Sequence, residues 1–223
     1  GTTAETGTDM LGIFKKADTP QYELFCCSVR GASHIRKDTP CEDYGIKRNS
    51  GGVRIFAVAD GHGDPNCLRS SVGSEYACRI AADSLESFAR NVADNGFESR
   101  LFDRAECSIL MDRLIRSIVG KWISAVDDEF AANPLTDEEY RAAFRLGDEY
   151  RRGVKIERMY GTTLIAGLLT DKYLLLLQQG DGRCVVFDSD GKATQPVPWD
   201  DRCVGTATTS LCDVDAVGSV RYH

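Results

Sequence analysis

Apolar and polar positions follow three different rhythms along this chain of 223 residues. At the start they alternate. Residues 22–30 read YELFCCSVR, a strand-like pattern stopped by the turn residue Gly31. Residues 34–42 bring Lys, Asp, Thr and Pro together and predict a loop, with a short strand over 43–47. Asn49-Ser50-Gly51-Gly52 then reads as a hairpin turn into VRIFAVA (53–59), a run rich in β-formers.

The rhythm next becomes helical. Over 67–91, Leu68, Val72, Tyr76, Ile80, Leu85 and Phe88 fall near the spacing of one helix face. Over 98–131 the pattern is stronger and runs from Leu101 through Trp122 to Phe130, until Asn133-Pro134 stops it. Thr136 with Glu139 forms a capping-box signature for a third helix reaching Tyr150.

After Tyr160 strands return: LIAGLL (164–169), YLLLLQQ (173–179) and RCVVFD (183–188), separated by Asp171-Lys172 and Gly180-Asp181-Gly182. Ser189-Asp190-Gly191 closes a further hairpin. Short turns between these strands predict an antiparallel meander. Strands, long helices, then strands again give an α+β layered domain over residues 21–223, preceded by a flexible arm at 1–20, with a charged helical insertion at about 98–152 that covers a cleft or binds a partner. No repeat or low-complexity block interrupts it.

Composition narrows the classes. Hydrophobic residues make up 42% and charged residues 27%, the balance of an ordinary globular protein. A net charge of −7 and the lack of a basic stripe argue against nucleic acid or an anionic membrane as partner. No apolar run approaches the ~18–20 residues of a membrane span, and the N-terminus lacks the apolar core of a signal peptide. The expectation is a soluble, cytoplasmic protein. Its nine cysteines show no C-x-x-C or finger-like spacing, so they are expected to be reduced and structural.

Candidate chemistry gathers at strand ends. Asp60 ends the 53–59 run inside Asp60-Gly61-His62-Gly63, where the glycines let the main chain bend close to a ligand. His62 titrates near neutral pH and suits a proton donor. Across the hairpin, Asp43 of the Glu42-Asp43 pair is expected to lie beside Asp60. Carboxylates brought together this way repel unless they share a proton or a cation. Oxygen ligands without a His/Cys set point to magnesium or manganese. Asp181 is a third acidic turn, and Asp-Gly also suits a plain hairpin.

Gly31-Ala32-Ser33-His34 through Cys41-Glu42-Asp43, FAVADGHG (56–63), Tyr160-Gly161-Thr162-Thr163 and Gly180-Asp181-Gly182-Arg183 occur in that order. Together they resemble the protein phosphatase 2C family of metal-dependent serine/threonine phosphatases, most closely a bacterial branch with a G-x-S-H opening. Arg202-Cys203-Val204-Gly205 and Thr208-Thr209-Ser210-Leu211 also look like that branch. The resemblance implies an α/β/β/α sandwich of two antiparallel sheets between helical layers. It implies two or three Mg²⁺ or Mn²⁺ ions, with Asp60 bridging, Gly61 ligating through its carbonyl, Glu42 and Asp43 as the acidic pair, and Asp181 at a third ion. His62 would be the general acid, and a phosphorylated protein the substrate.

Two departures accompany it. The phosphate-binding arginine of the family sits a few residues before the acidic pair. Here Arg36 lies six residues before Glu42, and either Arg36 or His34 could bind phosphate, Arg36 being equally a solvated loop residue. Two further family aspartates near the C-terminus are expected beyond His223, so the expected sandwich lacks its C-terminal part. Ser189-Asp190-Gly191 matches one of their motifs in letters but stands in the wrong order. An alternative reading is therefore a catalytically incomplete, phosphatase-like binding or regulatory domain. The sequence gives no handle on oligomeric state.

Overall fold

Two glycines decide where the sheet begins. Gly51 and Gly52 both have positive φ (57° and 83°), the pair a two-residue turn needs to match the twist of its strands. The turn sets the register of β1 (Tyr44–Ser50) against β2 (Val53–Ala59), with Ser50 opposite Val53 and Tyr44 opposite Ala59. β3 (Leu164–Leu169), β4 (Leu174–Gln179) and β7 (Arg221–Tyr222) complete an antiparallel sheet in the order β1-β2-β3-β4-β7. The computed structural model describes residues 22–223, and the arm expected at 1–20 lies outside them.

On the sheet lies α2 (Ser70–Asp94), and on α2 packs α3 (Arg104–Ala132). Small residues make the first contact close. Gly73, Ser74, Ala77 and Ala81 are buried along α2, and a Cβ at Gly73 would stand 1.8 Å from the Tyr160 carbonyl oxygen. α3 starts at Asp103, whose carboxylate accepts from the Ala105 and Glu106 amides at 3.0 and 2.9 Å. It buries Met111, Ile118, Trp122 and Val126, and the Trp122 indole donates to the Gly73 carbonyl at 2.9 Å. Arg69 donates to Glu129 at 2.9 Å, and Tyr160 also hydrogen-bonds Glu129, so α2, α3 and the approach to β3 share one enclosed polar knot. α3 thus belongs to the core. From the same 98–152 stretch, Arg145 and Leu146 reach a cleft.

Several expected elements differ. Residues 22–30 form no strand: Phe25 is 87% exposed, and Lys47, Arg54 and Ser28 tie the segment down by side chain to backbone instead of a ladder. The loop over 34–42 contains a short helix, α1 (Ala32–Lys37), ended by Asp38 in the left-handed region. The third helix keeps its Thr136–Glu139 capping box but breaks into α4 (Asp137–Ala142) and α5 (Gly147–Arg151). At the break, Asn66 captures the Arg145 and Leu146 amides, and Gly147 packs where a Cβ would stand 2.2 Å from the Tyr140 carbonyl oxygen.

The meander also stops one strand early. β7 occupies the free edge of β4, so 183–188 leaves the sheet and pairs only as β5 (Val186–Phe187) with β6 (Ala193–Thr194). Among the described residues this pair is the whole of the second sheet. A short helix, α6 (Ala216–Ser219), precedes β7. All nine cysteines are free, and burial pushes the thiols of Cys67 and Cys78 up to about 12, which leaves them inert. No helix among the described residues is long and apolar enough to cross a membrane.

Candidate active site

Asp60 is the first residue past β2, and the start of β3 holds its backbone on both sides. Its amide donates to Thr163 Oγ1 at 3.0 Å, and its carbonyl accepts from the Thr163 amide at 2.9 Å and from Thr162 Oγ1 at 3.0 Å. The Gly161-Thr162-Thr163 motif is therefore a clamp on Asp60. Gly161 has a steric reason to be glycine, because a Cβ there would lie 2.7 Å from the His62 ring.

Glu42 is fixed from the other side by two serines one turn apart on α2. Ser70 Oγ donates to its carboxylate at 2.9 Å and Ser74 Oγ to its carbonyl at 2.6 Å. The Gly61 amide donates to that same carbonyl at 3.2 Å. Asp43 stands next to Tyr44, whose partner is Ala59, so the hairpin brings Asp43 against Asp60 as expected, close enough for its charge to act on the Asp60 carboxyl. Asp181 arrives by close packing rather than as a plain hairpin turn. Gly180 has φ 97° and lies on Thr163, where a Cβ would come within 2.5 Å of the Thr side chain. Gly182 lies as tightly on Ile165. The turn between them faces Asp181 toward Asp60.

The electrostatics follow from this crowding. Asp60 is exposed as a residue, yet partial enclosure of its carboxylate, then repulsion from Asp43, Asp181 and Glu42, raises it to about 6. His62 is more enclosed, and burial lowers its pKa. Asp213 pulls it back, and the Arg158 guanidinium adds to the depression. Asp64 is held below the usual carboxylate range by the Asn66 amide.

A divalent cation meets suitable donor chemistry here: carboxylates crowded around Asp60 that raise its proton affinity, and a Gly61 carbonyl that accepts no hydrogen bond from the described residues. No three His, Cys, Asp or Glu side chains among the described residues converge closely enough to hold a metal ion by themselves. The fit is thus one of donor type, centred on Asp43 and Asp60.

Asp60 separates two adjoining hollows. The smaller, about 240 Å³, is lined by His34, Glu42, Asp43 and Gly63. The larger, about 760 Å³, takes in His62, Asp64, Asp181 and Asp213 together with Arg145, Lys155 and Arg158. His34 reaches the smaller hollow, with Nδ1 2.9 Å from the Pro40 carbonyl oxygen. Arg36 is exposed on α1 and lines neither hollow. The three cations of the larger hollow went unread in the sequence, because they sit in turns and one short 3₁₀ helix, where no periodicity marks an inward face.

The 208–211 stretch gains a physical role as well. Ser210 Oγ accepts from the Thr162 amide at 3.1 Å and donates to the Thr162 carbonyl at 3.0 Å, completing the backbone of the clamp. Thr208 Oγ1 donates to Asp181 at 3.3 Å, and Thr209 Oγ1 accepts from the Gly180 amide at 3.1 Å. These hydroxyls hold the third acidic turn and the first to one another.

Comparison with curated proteins finds no match. A family model described as protein phosphatase 2C matches residues 30–223, which include the clamp, all three acidic sites, His62 and the hydroxyl-bearing stretch. This chain belongs to the protein phosphatase 2C family.

Proposed function

We propose that this chain is a metal-dependent phosphatase acting on phosphorylated serine or threonine in proteins. The observation that carries the reading is that Asp43 and Asp181 both crowd Asp60, which lines the cleft beside His62. Asp60, Asp43, Glu42 and the Gly61 carbonyl would hold magnesium or manganese, with Asp181 available to a further ion. Such ions, when bound, lower the pKa of a water and neutralise the phosphoryl oxygens.

The remaining steps belong to the chain's own groups. The Thr162-Thr163 clamp keeps Asp60 from swinging, so its carboxylate is oriented before substrate arrives. His62 donates a proton to the departing alkoxide oxygen. Burial disfavours its charged form in the free protein, and an incoming phosphoryl dianion restores that form by raising its pKa. His34 at the smaller hollow is the nearer candidate for a phosphate contact, and Arg36 reaches substrate only after α1 shifts. In this reading the sheet is one layer of an α/β/β/α sandwich, and the protein acts in the cytoplasm.

A second reading is a binding domain that holds phosphoproteins without cleaving them, favoured by the absence of a convergent three-side-chain metal site among the described residues. Hydrolysis of a small aryl phosphate with manganese separates the two. Turnover that disappears with chelator and in Asp60→Asn is the expected result. Phosphopeptide binding without turnover at any manganese concentration would replace the phosphatase reading by the binding one.

A further inference from the structure

The larger hollow carries charges of both signs, and its cations are not needed for phosphoryl chemistry. Asp60, Asp64, Asp181 and Asp213 line it. Arg145, Lys155 and Arg158, all exposed residues, line the same hollow.

These cations are held in place by their backbones. Arg158 lies in a short 3₁₀ helix, Ile156–Tyr160, whose Ile156, Met159 and Tyr160 are buried, so Arg158 is a charged residue turned outward from a fixed turn. Arg145 is fixed through its amide, which donates to Asn66 Oδ1 at 2.8 Å, and its guanidinium lies 5.1 Å from the centre of the Phe144 ring. Asn66 follows directly on the Asp60–Asp64 loop, and its amide and side chain both donate to Asp64. Arg145 and Asp64 are thereby built on one support.

Their charges are also available. Neighbouring Arg151 pairs with Asp137 at 3.0 Å and Lys155 with Glu149 at 3.8 Å, whereas Arg145 and Arg158 make no ion pair among the described residues. At about 760 Å³ the hollow is larger than one phosphorylated side chain requires and has room for flanking residues of a peptide. A phosphoryl group drawn to the carboxylates by their cations leaves Arg145 and Arg158 without a directly paired counter-charge, Arg158 feeling Asp64 only at longer range. A second anion on the same ligand supplies it.

We propose that Arg145 and Arg158 form a selectivity wall that favours protein segments carrying a second anionic group, either an acidic side chain or another phosphate, beside the phosphorylated residue. The proposal rests on the phosphatase reading for its chemistry but concerns recognition.

Three phosphoserine peptides of equal length test it, with neutral, glutamate or phosphoserine neighbours. Each is followed by manganese-dependent hydrolysis and by fluorescence anisotropy, the latter independent of turnover. The anionic-flanked peptides should be preferred about tenfold in kcat/KM and in affinity, carried by KM, because two partly exposed charge pairs each contribute a few-fold. Arg145→Gln with Arg158→Gln should bring that ratio to about one. Arg152→Gln, which removes an exposed charge not lining the hollow, should leave it intact. Preference for both anionic peptides assigns the wall to anions in general, and preference for one alone identifies its source. Equal treatment of all three by the unaltered protein, or a preference that survives the double substitution, overturns the proposal. If no peptide is hydrolysed, the phosphatase reading falls, and the anisotropy ranking still decides the wall.

Discussion

In α2, α3 and β2–β4 the side chains that meet are Leu85, Met111, Trp122, Leu168 and Leu177; in the stretch 180–219 they are Asp200, Thr209, Ser210 and Ser219. The first region is held by buried apolar area, which is additive and insensitive to direction. The second has two residues of β5, two of β6 and a four-residue helix; it sends Leu211, Cys212 and Ala216 into the apolar core and is tied further by directed bonds from hydroxyls and carboxylates. Gln179 marks the border: it ends β4, yet its side-chain amide donates to the Ser210 carbonyl at 2.8 Å and to Ser219 Oγ at 2.6 Å. Apolar packing tolerates exchange of similar volumes, whereas a directed network loses a buried partner with every deletion. In this molecule the tolerant region carries the scaffold and the intolerant one reaches the site.

The comparison breaks hardest at Gly73, where the apolar region depends on closeness as strictly as the polar region depends on direction. Gly73→Ala forces a methyl onto the Tyr160 carbonyl, backbone against backbone. A loss of at least about 3 kcal/mol is expected in urea unfolding. A loss below 1 kcal/mol would mean that α2 slides freely over the β3 approach.

Ser210→Ala sharpens the contrast. Removing the hydroxyl leaves the Thr162 amide without its partner and should cost about 2 kcal/mol. Aryl phosphate turnover measured well below the unfolding midpoint should fall further than stability alone accounts for, because the Asp60 clamp loosens. Turnover in strict proportion to the folded fraction would reduce the stretch to scaffold.

The smallest effect runs the opposite way. In metal-free protein Asp60→Asn should stabilise the fold by about 1 kcal/mol at pH 7, discounted for the open position of the carboxylate. Asp60 binds its proton more tightly folded, near 6, than unfolded, near 3.8, so the unaltered chain loses stability as pH rises through that interval. Below about pH 4 the carboxyl is protonated in both states, and the two proteins should melt alike. A gain that persists there would assign the effect to something other than charge crowding.

How much was legible in the sequence follows the same division. Residues 53–59 and 164–169 match their strands end to end, and the helical stretches at 67–91 and 98–131 appear as α2 and α3 with shifted ends, because burial imposes a period. Asp43 opposite Asp60 was readable from turn chemistry alone. Residues 22–30 carry a strand-like alternation, but Phe25 and Val29 face solvent, since pattern does not say whether a partner strand is present. The ladder edge expected for 183–188 was taken by Arg221–Tyr222, a pairing across more than thirty residues that no local signal announces. The roles of Ser210 and Arg158 were unreadable for a related reason: each acts through one directed contact or one exposed charge.

Asn66 makes five hydrogen bonds that together tie three segments: its side-chain carbonyl receives the amides of Arg145 and Leu146, its own nitrogens hold Asp64, and its backbone carbonyl takes the Tyr150 hydroxyl at 2.7 Å. The span between Asp64 and the backbone of Arg145 is therefore gauged by the length of one short side chain. Lengthening it to glutamine would widen the gap by about one methylene without altering any charge or any residue of the Asp60 cluster. Breadth of ligand and the chemistry performed on it are thus set by separate parts, so that either can drift while the other stays constant.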